Sequence, residues 1–81
     1  MNKIRLEEFK TSMGTFIDLN YYDSHIIDKA IHIPYEELLI NFKELLSKNK
    51  KYFLYCNGGI KSKKATAILD FYGYDVTYVY K

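Results

Sequence analysis

The chain has one cysteine, Cys56, so no disulfide can close within it. No paired-cysteine or Cys/His spacing suggests zinc, and neither a metal nor an organic cofactor is implied. Signal peptide and long apolar stretch are both lacking, which gives the expectation of a soluble protein in a reducing cytoplasm with no membrane partner. The formal charge is only +2 and the lysines are scattered, so no nucleic-acid partner is expected. Arginine is nearly missing: of 12 Lys+Arg residues only Arg5 is arginine. Ile, Asn and Tyr are plentiful, and all are coded by A/T-rich triplets, so genome composition is one reading of that bias. No repeat, low-complexity tract or linker divides the chain.

What is present fits one small domain spanning residues 1–81. A chain of this size buries only about 60% of its unfolded surface, and its 48% hydrophobic content is enough for a compact core. Ile4 centres a first short strand, followed by a turn of helix before Lys10. Thr15 to Leu19 reads as a strand, and Tyr22 to Ala30 as a polar stretch holding a short helical turn. Ile31-His32-Ile33 is a short strand closed by Pro34. Leu38, Leu39, Phe42, Leu45 and Leu46 recur at helical spacing and predict an amphipathic helix from Tyr35 to Ser47. His32 carries no distinct signal.

Tyr52 to Tyr55 is apolar on both parities, as a central strand covered on two faces would be. A helix patterned over Lys63 to Tyr72 places Ala65, Ile68, Leu69 and Tyr72 on one side and stops at Gly73. Val76 to Tyr80 is the last strand. Strands alternating with helices predict an α/β fold: a small, mostly parallel sheet flanked by helices in three layers, with right-handed crossovers. Ligands of such sheets sit beyond the carboxyl ends of the strands. Cys56 lies at one such end and Asp18 near another.

Between the central strand and the next helix runs Cys56-Asn57-Gly58-Gly59-Ile60-Lys61-Ser62. Strand, glycine-containing loop and helix together build an anion cradle of converging amides backed by the helix dipole. A lone cysteine is ordinarily a small buried apolar residue; at the mouth of such a loop it reads instead as a nucleophile. Gly58 and Gly59 suit an ordinary turn or a close backbone approach to an anion. Ser62 suits a helix cap that also lines the pocket. Lys61 is either a solvated lysine or a cation that attracts an anionic donor. Asp18 is a solvated strand end or a brace for nearby loops, and His25 reads as a packed histidine holding its turn.

Phe16 to Val79 resembles a single-domain rhodanese, of the sulfurtransferase family. Phe16-Ile17-Asp18-Leu19 stands where the family has a strand ending in Asp-Val-Arg, and Ser24-His25-Ile26 is similar to its Gly-His-Ile. Ala30-Ile31-His32-Ile33-Pro34 is similar to Ala-x-x-Ile-Pro, and Cys56 to Ser62 to Cys-x-x-Gly-x-Arg-Ser. Phe71 to Val76 looks like the family's Gly-Phe-x-Val step into the last strand. The resemblance implies the rhodanese-like fold and a Cys56 that takes a sulfane sulfur from thiosulfate or another persulfide donor. It would pass that sulfur to cyanide or a thiol, a protein thiol included. Amides of Asn57, Gly58, Gly59, Ile60, Lys61 and Ser62 would hold the anion, each hydrogen bond to a charged group contributing about 1.5–3 kcal/mol. By the same resemblance, Asp18 and His25 support the site.

Loop length separates this reading from tyrosine phosphatases, which use Cys-x5-Arg. Here four residues lie between Cys56 and Lys61, and a lysine cannot clamp an oxyanion bidentately. Phosphatase or arsenate reductase is accordingly the third reading; the second is a catalytically weak sulfur-relay or interaction module. The missing arginines and terminal helix motivate that second reading, among several departures from the pattern. Asn20 replaces the arginine of Asp-Val-Arg, Ser24 and Lys29 replace glycines, and Lys61 replaces the loop arginine. The terminal helix that often completes the fold has no counterpart. One sheet face is therefore expected to be thinly covered, with Tyr78 and Tyr80 exposed to self-association there.

Overall fold

A computed structural model describes residues 1–81. Five strands form one sheet: β1 (Asn2–Arg5), β2 (Thr15–Asp18), β3 (Ile31–His32), β4 (Lys51–Tyr55) and β5 (Asp75–Tyr80). Their order is β1-β5-β4-β2-β3, and every neighbouring pair is parallel. Two helices, α1 (Tyr35–Leu45) and α2 (Ile60–Phe71), lead into β4 and β5. Short 3-10 turns at Leu6–Glu8 and Thr11–Met13 join β1 to β2. The chain first moves toward the β3 edge and then returns, so crossovers of a single hand must place the two sets of connections on opposite faces. The packing agrees.

Alternation along the strands divides the core. Ile17, Leu19, Tyr52, Leu54, Cys56 and Val76 face both helices, packing on Leu38, Phe42, Ala65 and Leu69. Phe16, Phe53, Tyr55 and Val79 point the other way, onto Phe9 and the partly buried Leu6, Ile26 and Ile27. This second face is covered by the 3-10 segment and the 19–30 loop rather than by an α-helix, so the third layer is thin. β4 is buried from Tyr52 to Tyr55, as a central strand with apolar residues on both parities must be.

Three local readings need correction. The stretch from Tyr22 to Ala30 holds no helical turn. Side chains take the amides a helix would have used: Asp18 Oδ2 accepts the Ser24 N–H, Asp23 Oδ1 that of His25, and Ser24 Oγ that of Ile26. Helix α1 ends at Leu45, not Ser47, because Leu46 turns extended to bury itself and the Ser47 N–H donates to the Tyr52 hydroxyl at 2.7 Å. Helix α2 starts at Ile60, three residues before the periodic segment.

The buried side of α2 is also rotated from the expected one. Ser62, Ala65, Thr66 and Leu69 are buried, while Ile68 and Tyr72 are exposed. Small residues in the first turns bring this helix close to the sheet. Its end matches expectation. Gly73 adopts φ +90°, its N–H donates to Asp70 O at 3.0 Å, and the Tyr74 N–H reaches back to Leu69 O at 3.0 Å. That pair of bonds is a Schellman termination.

Candidate active site

Cys56 follows β4 at its carboxyl end, with its side chain on the helix side of the sheet. Behind it lies the apolar cluster; in front is an open depression of about 300 Å³ lined by Asn20, Tyr21, Cys56, Gly58, Ile60 and Lys61. The residue is only 6% exposed, so its sulfur is the floor of this depression. Two contacts reach Sγ from the first turn of α2. The Ser62 N–H donates to it at 3.2 Å, and the thiol donates to Ser62 Oγ at 3.3 Å. Ser62 Oγ in turn donates to Gly59 O at 3.2 Å. Ser62 is the third residue of the helix rather than its cap; the cap is Gly59, in left-handed conformation at φ +78°.

The loop amides are not all turned to the sulfur, which corrects the sequence reading. Asn57 N–H donates to Asn20 Oδ1 at 2.9 Å, and Gly59 N–H closes a turn on Cys56 O at 3.3 Å. The remaining amides, of Gly58, Ile60 and Lys61, have no acceptor within the protein, and all three residues line the depression. They lie at the positive end of α2, where unpaired N–H groups favour an anion. The two glycines differ. A Cβ on Gly59 would lie 2.9 Å from the Tyr78 hydroxyl, whereas one on Gly58 would meet nothing.

Asp18 is 1% exposed and lies at the end of β2 beneath the loop. Burial alone pushes its carboxyl up, but the Ser24 hydroxyl, the Asn20 and Ser24 amides and the Asn20 side chain outweigh that and hold it below the usual carboxylate range. Asp18 is thus a hub: Oδ1 accepts Asn20 N at 3.0 Å and Nδ2 at 2.7 Å, and Oδ2 accepts Ser24 N at 2.8 Å and Oγ at 2.6 Å. Serine in place of the expected glycine supplies two of those donors.

His25 is not a packed histidine. Its side chain is 83% exposed, Nδ1 lies 3.7 Å from Asp23 Oδ1, and its backbone sits at φ +53°. Lys61 lines the depression, but its Nζ is 3.5 Å from Glu36 Oε1 and 5.8 Å from the Tyr35 ring centroid. Four participants escaped sequence reasoning. Tyr21 lines the depression. Tyr78 abuts Gly59. His32 Nε2 bonds Asn20 O at 2.7 Å, and Glu36 holds Lys61. None carries a local motif, because each reaches the site only through strand order or helix placement.

Residues 6–81 match the family described as the Rhodanese-like domain. The chain belongs to the rhodanese-like family. Among solved structures, a rhodanese-related protein from Thermoplasma volcanium superimposes with a TM-score of 0.81 at 26% identity, covering 99% of this chain and 84% of that one. A NAD-dependent persulfide reductase from A. fulgidus gives 0.79 at 26% identity, covering 98% of this chain and 15% of that one. The tRNA uridine(34) hydroxylase of Buchnera aphidicola is 35% identical over 69 residues, 76% of this chain. This rhodanese-like chain aligns to only 22% of that curated relative's length. No helix here is long and apolar enough to cross a membrane.

Proposed function

We propose that this rhodanese-like chain is a sulfurtransferase that carries a sulfane sulfur on Cys56. The reading rests on one observation above all: Ser62 N–H donates to Sγ while the free amides of Gly58, Ile60 and Lys61 line the space in front of it. With thiosulfate as donor, the Cys56 thiolate attacks the outer sulfur. The sulfur–sulfur bond of thiosulfate breaks and sulfite leaves with the electron pair. The new terminal persulfide anion occupies the depression, where the loop amides supply charge-assisted hydrogen bonds that water would otherwise provide. A thiophilic acceptor such as cyanide or a thiolate then attacks that outer sulfur, and the Cys56 thiolate departs. Ser62 Oγ accepts from the thiol in the resting state and can rotate to donate once the sulfur is anionic.

Kinship with a persulfide reductase is in keeping with a sulfur-loaded cysteine, and kinship with a tRNA hydroxylase concerns a much longer protein. The test is to incubate the protein with thiosulfate, look by intact mass for one added sulfur atom, and measure thiocyanate formed from cyanide, with Cys56→Ser as control. Loading that is lost in Cys56→Ser supports the reading; absence of loading from thiosulfate and from a small persulfide contradicts it. A second reading, a relay module poor in thiosulfate turnover, is favoured by the Lys61–Glu36 pairing. Its mark is loading with little cyanide turnover.

A further inference from the structure

The cation of the loop is paired with a carboxylate beside the cavity it lines. Lys61 Nζ lies 3.5 Å from Glu36 Oε1 and over the Tyr35 ring at 5.8 Å. Tyr35 and Glu36 open α1, where the helix dipole alone favours acidic residues and accounts equally for Glu36 and Glu37. Only Glu36 reaches Lys61, and Glu37 makes no ion pair. The rest of the lining, Asn20, Tyr21, Cys56, Gly58 and Ile60, contributes no fixed charge. The remaining carboxylate beside the loop, Asp18, is buried and fully engaged with Asn20 and Ser24. The side-chain charges at the mouth therefore nearly cancel.

Charge product decides what such a mouth admits. A dianion is attracted by an unopposed lysine about twice as strongly as a monoanion, and loses about twice as much when a carboxylate opposes that lysine. Backbone amides at the floor serve a single terminal sulfur regardless. Resting on the sulfur-transfer reading above, we propose that Glu36, acting through Lys61, is a specificity-determining residue. It turns the site toward singly charged persulfide donors and away from dianionic donors such as thiosulfate. In that reaction the bound anion R–S–S⁻ takes the proton of the Cys56 thiol, and the resulting thiolate attacks the outer sulfur of R–S–SH. The R–S to S bond breaks, R–S⁻ leaves with the electron pair, and the proton stays on the transferred sulfur until lost to solvent.

The experiment compares second-order rates of Cys56 loading, by time-resolved intact mass, from thiosulfate and from the persulfide of N-acetylcysteine methyl ester, whose only charge is at sulfur. Glu36 is largely exposed, so Glu36→Gln keeps the fold. The thiosulfate-to-persulfide rate ratio should rise about two- to fivefold in Glu36→Gln at low salt, the range expected for an exposed ion pair. The gain should shrink in high salt, vanish in a Lys61→Ala background, and be smaller in Glu37→Gln. A ratio unchanged by Glu36→Gln, or a gain that survives Lys61→Ala, overturns the proposal and leaves sulfur transfer standing. Loading from neither donor, in wild type and Glu36→Gln alike, overturns the sulfur-transfer reading and this proposal with it.

Discussion

Asn20 Oδ1 accepts the main-chain N–H of Asn57 at 2.9 Å, joining the end of β2 to the first residue after the nucleophile. Through its Nδ2, Asn20 also donates to Asp18 at 2.7 Å, so the buried carboxylate anchors the loop by way of one side chain. The position where the family carries arginine thus still braces the site, by amide geometry instead of charge. Asn20→Ala should cost about 1–2 kcal/mol of stability, since it removes two hydrogen bonds, one of them to a carboxylate. Amide exchange at Asn57 should quicken, read residue by residue by NMR. Unchanged protection at Asn57 would remove Asn20 from this role.

Asp18 should make the fold acid-sensitive in a defined direction. Its folded value is below the ordinary 3.8, so the stability it contributes is complete above that value. That contribution is lost as pH falls through the lower folded value. Denaturant midpoints followed downward from pH 5 should therefore decline more steeply in wild type than in Asp18→Asn. At neutral pH the same variant should lose about 1.5 kcal/mol or more, the worth of one hydrogen bond to a charged acceptor. Parallel acid profiles for the two proteins would contradict the assignment.

The loop glycines should not be equivalent. Gly59→Ala forces a side chain into left-handed backbone and to within 2.9 Å of the Tyr78 hydroxyl. It should cost about 1–2 kcal/mol and slow Cys56 loading severalfold. Gly58→Ala meets no neighbouring atom and should leave thermal stability within about 0.5 kcal/mol of wild type. Equal destabilisation by the two changes would refute the distinction.

Lys29 offers the opposite case. Its φ of +66° is unfavourable for a side-chain-bearing residue, at the position where the family has glycine. Lys29→Gly should raise stability by about 0.5–1 kcal/mol, the left-handed penalty outweighing the added flexibility of the unfolded chain. A lowered midpoint in thermal melts would show that Lys29 makes up for its backbone elsewhere.

Much of this was legible in the residues themselves. Apolar runs on both parities gave β4 its central place, and Gly73 marked the end of α2. The leucine period located α1, and Cys56 with its glycines located the depression. Boundaries failed for two different reasons: Leu46 leaves α1 to bury its side chain, and the left-handed backbone of Gly59 starts α2 before any apolar period is visible. The fate of individual amides was beyond sequence, since Asn57 is claimed by a residue from another strand. Equally hidden was the Lys61–Glu36 contact, which depends on α1 and α2 lying on the same side of the sheet.

Ser62 carries a narrower expectation. Ser62→Ala keeps the main-chain N–H on Sγ but removes the hydroxyl, and should slow cyanide turnover about ten- to a hundredfold, as loss of one charge-assisted hydrogen bond implies. Loading by thiosulfate should persist. Complete loss of loading with an intact fold would mean that the hydroxyl, and not the amide, is the principal donor.

The most direct measurement is a ¹⁵N-resolved NMR comparison of the free and sulfur-loaded protein, with loading on Cys56 verified by mass. Amide protons of Gly58, Ile60 and Lys61 should move downfield on loading as they gain an anionic acceptor, while Asn57 and Gly59, already bonded to Asn20 and Cys56 O, move little. A loaded protein in which those three amides stay at their free positions would contradict the proposed cradle.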